Sequence, residues 1–106
     1  MLKITEKFRC AEQDLREASS VKLAFFGDSV TQGCFEIREG STDFITVTDG
    51  EAVYHNRLRR ILQSLYPHCP VNVLNAGISG DDTDRAVLRL QRDVLDYRPD
   101  LTVVCF

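Results

Sequence analysis

With 106 residues the chain has room for one domain at most, near the lower end of what buries a sizeable single core. Apolar residues make up 43% and charged residues 27%, which is ordinary for a folded globular protein and excludes a disordered one. The formal net charge of −3 argues against nucleic acid, which selects a basic face.

No stretch approaches the ~18 consecutive apolar residues of a membrane span. Met1 to Lys7 has neither the apolar core nor the small-residue cleavage site of a secretory signal. A cytoplasmic protein without a membrane partner is the expectation. Cys10, Cys34, Cys69 and Cys105 lie far apart, with no Cys-x-x-Cys pair and no metal-ligand spacing, and read as reduced cysteines. No metal and no organic cofactor is expected.

Taken in chain order, Ile4, Phe8, Ala11, Leu15 and Ala18 recur at the period of an amphipathic helix, which predicts one helix over 5–18. Ser19 and Ser20 break it. Val21 to Phe26 then reads as a strand buried on both faces, ending abruptly in Gly27-Asp28-Ser29. Ligands of open α/β sheets gather outside the carboxyl ends of the strands, so a serine hydroxyl at this tip is placed to act as a nucleophile. From 30 to 48 no period is sustained, and the segment is expected to be mostly loop with a short helical turn after Ser29. A connection this long is either a wall of a substrate pocket or a variable surface insertion.

Asp49 is a candidate cap for a helix over 51–66, with Val53, Tyr54, Leu58, Ile61, Leu62 and Leu65 on one face and Pro67 and Pro70 as its stop. Arg57, Arg59 and Arg60 read as a solvated surface of that helix. A second strand over 71–75, a loop over 76–82 and a helix over 84–97 capped by Asp82 or Thr83 follow. Ala86, Val87, Leu90, Val94 and Leu95 form the inner face of this last helix. Arg98-Pro99-Asp100 leads into a third strand over 101–106.

Strand, helix, strand, helix, strand with continuous apolar strands is the pattern of a parallel sheet. The fold class expected is α/β, a three-layer, flavodoxin-like parallel sheet. Residues 1–106 form a single domain, an N-terminal helix over 1–20 and a βαβαβ unit over 21–106. Right-handed crossovers put both strand-to-helix loops on one rim, which brings Ser29 and Gly77 together.

Gly27-Asp28-Ser29, with Phe25-Phe26 before it and Thr31-Gln32-Gly33 after it, resembles the first signature block of the GDSL or SGNH hydrolases, which are serine esterases, lipases and acylhydrolases. Val73-Leu74-Asn75-Ala76-Gly77-Ile78-Ser79-Gly80 resembles their second block. The family's third block, Gly-x-Asn-Asp, lies just past a strand like 101–106, and its fourth is an Asp-x-x-His; neither is present here. The resemblance implies that Ser29 is the nucleophile and that the backbone N–H groups of Ser29 and Gly77 are two of three oxyanion donors. It further implies that these residues are the N-terminal part of a hydrolase domain, inactive alone because the Asn donor, the His base and its Asp are lacking.

His55, on the second helix, and His68, in a turn at the opposite rim, are expected to be structural or surface residues rather than the base. Asp28 is expected to hold the turn, and Asn75 and Asp81 to support the site or border the substrate mouth. Ser79 and Thr83 read as turn and cap residues. A small-molecule ester is the expected substrate, and the apolar strand 101–106 needs a further segment or a second chain along its edge. Two other readings compete. A phosphate-handling domain lacks any Gly-x-Gly-x-x-Gly or Gly-x-x-x-x-Gly-Lys-Ser/Thr loop, and a non-catalytic binding module would keep the fold without the histidine.

Overall fold

Lys22 is the one exposed residue of the strand Val21–Gly27, as befits a strand flanked on both edges and covered on both faces. In the computed structural model, which describes residues 3–106, the chain runs through α1 (Ile4–Gln13), α2 (Leu15–Ala18), β1 (Val21–Gly27), α3 (Ser29–Gln32), β2 (Cys34–Glu39) and β3 (Phe44–Thr48). It continues through α4 (Tyr54–Leu65), β4 (Val71–Gly77), α5 (Thr83–Asp93), a 3₁₀ turn at Leu95–Tyr97 and β5 (Leu101–Cys105). The main sheet has the order β4-β1-β5 with both pairings parallel.

Alternation along β1 divides the core in two. Val21, Leu23 and Phe25 face Phe8 and Ala11 of α1 together with Cys69 and Val71. Ala24 and Phe26 face the other way, against Ala76, Ala86 and Val94. The result is the expected α/β arrangement of a parallel sheet between helical layers. Among the described residues, no helix is long and apolar enough to cross a membrane.

The structure departs from the sequence expectations in several places, one of them the second strand, which continues to Gly77. The helix expected over 5–18 breaks at Asp14, whose backbone is extended (φ −152°, ψ 108°) and whose carboxylate accepts a bond from the Arg16 N–H at 2.9 Å. A short acidic side chain competes with the helix for backbone donors, and it starts a separate turn, α2. The part that remains, α1, packs on the sheet. Lys7 pairs with Asp100 at 2.5 Å, and the second oxygen of Asp100 accepts from the Lys22 N–H at 2.7 Å.

The segment 30–48 holds a hairpin as well as the short turn after Ser29. β2 and β3 pair antiparallel outside the main sheet, with an irregularity between Cys34 and Glu36. The β-branched run Ile45-Thr46-Val47-Thr48 is the signal for it. Phe35, Ile37, Phe44 and Ile45 remain exposed, so the hairpin has no single buried face to give a clean alternation.

α4 begins at Tyr54 rather than near 51, because the Asp49 carboxylate accepts from the N–H groups of Glu51 and Ala52 and holds a non-helical turn. Its inner face uses Val53 and His55, while Ile61 and Leu65 are exposed. α5 ends at Asp93, and Arg89 is buried in it while Val87 is exposed.

Candidate active site

Ser29 is the first residue of α3, directly after β1, and is half-buried. The Asp28 carboxylate accepts from the Val30 N–H at 3.1 Å and starts the turn. Gly33 ends it in a left-handed conformation, φ 109°. Thr31, fully buried, fastens α3 from below: its hydroxyl lies 3.0 Å from the Tyr54 hydroxyl, and its carbonyl lies 2.9 Å from His55 Nε2. Because a carbonyl only accepts, His55 carries its proton on Nε2. Among the described residues its Nδ1 is buried without a partner, and its ring lies 5.0 Å from that of Phe25.

Gly77 stands opposite Gly27 in the β1–β4 register. It approaches α3 so closely that a Cβ there would lie 2.2 Å from the Gln32 nitrogen and 2.6 Å from the Thr31 carbonyl carbon. Three hydrogen bonds stitch the two strand tips together. Ile78 N–H donates to the Gly27 carbonyl at 3.1 Å, Asn75 Nδ2 to the Gln32 carbonyl at 3.1 Å, and Ser79 N–H to Gln32 Oε1 at 2.6 Å. The Gly77 N–H itself donates to Asn75 Oδ1 at 3.0 Å. The sequence reading assigned no role to Gln32, which links both blocks.

A second unforeseen residue lies behind this junction. The Arg89 guanidinium donates from Nη1 to the Ala76 carbonyl at 2.8 Å and from Nη2 to the Gly27 carbonyl at 3.1 Å. Asp81 and Asp93 neutralise it, at 2.7 Å and 3.2 Å, and it lies 4.7 Å over the Phe26 ring. Burial of such a cation is tolerated only with partners of this number and sign. Asp81 therefore faces the arginine, with its side chain 7% exposed, and does not open onto a substrate mouth. Asp82 caps α5 through the Arg85 N–H at 2.9 Å.

His68 is at the other end of the sheet, before β4, where Glu12 accepts its backbone N–H and approaches its Nδ1 at 2.7 Å. Beside Val30, the hairpin residues Cys34 and Phe35 and the α4 side of the molecule, Val53, Tyr54 and Arg57, line a groove of about 260 Å³. Among the described residues, no cluster of three or more His, Cys, Asp or Glu side chains is arranged to hold a metal ion.

The sequence of residues 25–106 matches the model of the GDSL-like lipase/acylhydrolase family. The chain belongs to that family. It is similar to an acetylxylan esterase of Geobacillus stearothermophilus, 34% identical over 87 residues, which cover 81% of this chain and 38% of the esterase. A crystal structure of an acetylxylan esterase from the same organism superposes with a TM-score of 0.56 at 30% identity, over 79% of this chain and 37% of that one. A lipase/acylhydrolase from Enterococcus faecalis gives 0.57 at 27% identity over the same shares. A two-domain esterase active on acetylated mannans gives 0.68 over 92% of this chain and 24% of that one, and at 21% identity supports the fold alone. The chain thus spans well under half the length of these relatives. The GDSL-type match contains both glycine-bearing blocks described above, from Phe25 through Gly80.

Proposed function

We propose that this chain supplies the nucleophile and two backbone donors of a serine acyl esterase that removes short acyl groups, acetyl foremost, from a carbohydrate or other small alcohol. The observation that carries the reading is the junction of the two blocks: Ser29 opens α3, and Gly77 touches the backbone of the same turn. Membership in the GDSL-like family and the likeness to an acetylxylan esterase support the ester and the acetyl group.

In this reading the Ser29 hydroxyl attacks the ester carbonyl as a base takes its proton, and the carbonyl oxygen becomes an oxyanion. The N–H groups of Ser29 and Gly77 receive that charge. At rest the Gly77 N–H is shared with Asn75 Oδ1, and an anion draws it more strongly than a neutral amide oxygen does. Collapse of the intermediate expels the alcohol and leaves the acyl group on Ser29. Water then attacks the acyl-enzyme and releases the carboxylic acid.

Neither histidine is disposed to act as the base. His55 Nε2 is held by Thr31, and His68 lies by Glu12 at the far rim. Removing the base from such a site costs on the order of 10⁶ in turnover, so these 106 residues alone are expected to be inactive.

The test is hydrolysis of an aryl acetate and of acetylated xylo-oligosaccharides by the native polypeptide, with intact mass recorded during turnover. A mass increment of one acetyl group on the peptide holding Ser29, and loss of at least ~10⁴ in kcat for Ser29→Ala, are expected. Undiminished turnover by Ser29→Ala would sink the reading.

A further inference from the structure

The carbonyl of Ala76 and the N–H of Gly77 belong to one peptide unit, and Arg89 holds that carbonyl at 2.8 Å. The same guanidinium holds the Gly27 carbonyl at 3.1 Å, one residue from the Asp28-Ser29 turn. We infer that Arg89 is a positioning residue for acyl transfer: it locks the tips of β1 and β4 to each other and orients the Gly77 N–H toward the oxyanion. This inference rests on the esterase reading above.

Two observations and two chemical arguments support it. Four hydrogen bonds hold the guanidinium: Nε donates to Asp81, Nη1 to Ala76 and Asp93, and Nη2 to Gly27. The residue is only 9% exposed, so its charge acts in a medium that screens it little. A cation on the carbonyl also polarises the peptide, which makes the N–H at its other end a stronger donor. Lysine, with three donors on one atom, cannot reproduce the planar fork.

The experiment compares Arg89→Lys and Arg89→Gln with wild type in the native polypeptide, following kcat and KM for an aryl acetate, thermal unfolding, and the ¹⁵N shift and hydrogen exchange of the Gly77 amide. Folded Arg89→Lys is expected to lose about 10- to 100-fold in kcat, with KM changed less than about twofold, since a displaced donor acts on the transition state. The Gly77 amide should shift and exchange faster. If Arg89 variants unfold, Asp81→Asn loosens the fork while leaving the arginine in place, and a smaller loss confined to kcat is expected. An unchanged kcat in a folded Arg89 variant, or a loss appearing only in KM, overturns the inference. If wild type itself turns over no ester, the esterase reading fails, and an unmoved Gly77 amide in Arg89→Lys then overturns the positioning role separately.

Discussion

The backbone of Gly77 and the backbone of Gln32 meet with no room for a side chain between them: a Cβ on Gly77 would lie 2.2 Å from the Gln32 nitrogen. Glycine is needed here for clearance, since the colliding atoms are main chain and cannot swing aside. Gly77→Ala is expected to push β4 away from α3. The cost is about 2–3 kcal/mol of stability by analogy with overpacked cores, measured as a lowered urea midpoint. Turnover by the native polypeptide should fall more than tenfold, because α3 carries Ser29.

His55 is tied to the turn that bears Ser29 but not to Ser29 itself, through Nε2 and the Thr31 carbonyl at 2.9 Å. His55→Ala removes that bond and opens a cavity against Phe25. A loss of about 2–4 kcal/mol is expected in denaturant unfolding. The pH–rate profile of the remaining activity should keep its wild-type midpoints. A collapse of kcat on the order of 10⁶ would instead make His55 the base.

The Asp93 carboxyl is held below the usual carboxylate range, chiefly by its hydrogen bond from Arg92 and further by that from Arg89. A carboxylate lowered in the folded state contributes stability above its unfolded value of roughly 3.9 and loses it as pH falls through the folded value. Thermal unfolding should therefore lose this contribution in the acid range, below about pH 4. Asp93→Asn should flatten that part of the profile and lower the plateau near neutrality.

Burial pushes the Cys69 thiol up, and the residue has no exposed surface. Cys10 is exposed on α1. An aromatic disulfide reagent at neutral pH should label Cys10 in the native protein and Cys69 only after unfolding, as mapped by mass spectrometry of the digested chain.

The parallel core and the approach of Gly77 to the turn that begins at Ser29 were legible because both rest on local signals: apolar runs ending in glycine, and helices of clear period between them. What escaped notice depends on contacts distant in sequence. Arg89 sits between Leu88 and Leu90, where an arginine normally reads as surface charge, and only the convergence of the Gly27 and Ala76 carbonyls with Asp81 draws it inside. Gln32 gains its role only where the folded chain sets Asn75 and Ser79 against it. The break at Asp14 and the start of α4 at Tyr54 turned on single carboxylates competing for backbone donors, an outcome that apolar spacing does not encode.

The hairpin β2–β3 leaves and rejoins the molecule at one point, where the Asp49 N–H donates to the Gly33 carbonyl at 2.8 Å. Its two ends are thus already closed on each other, and changing the length of what lies between them adds little closure entropy. Trimming, extending or exchanging residues 34–48 is therefore expected to leave the register of β1 with β4 unchanged. Since Cys34 and Phe35 border the groove beside Val30, a rewritten cassette reshapes that groove. It leaves the sheet beneath untouched.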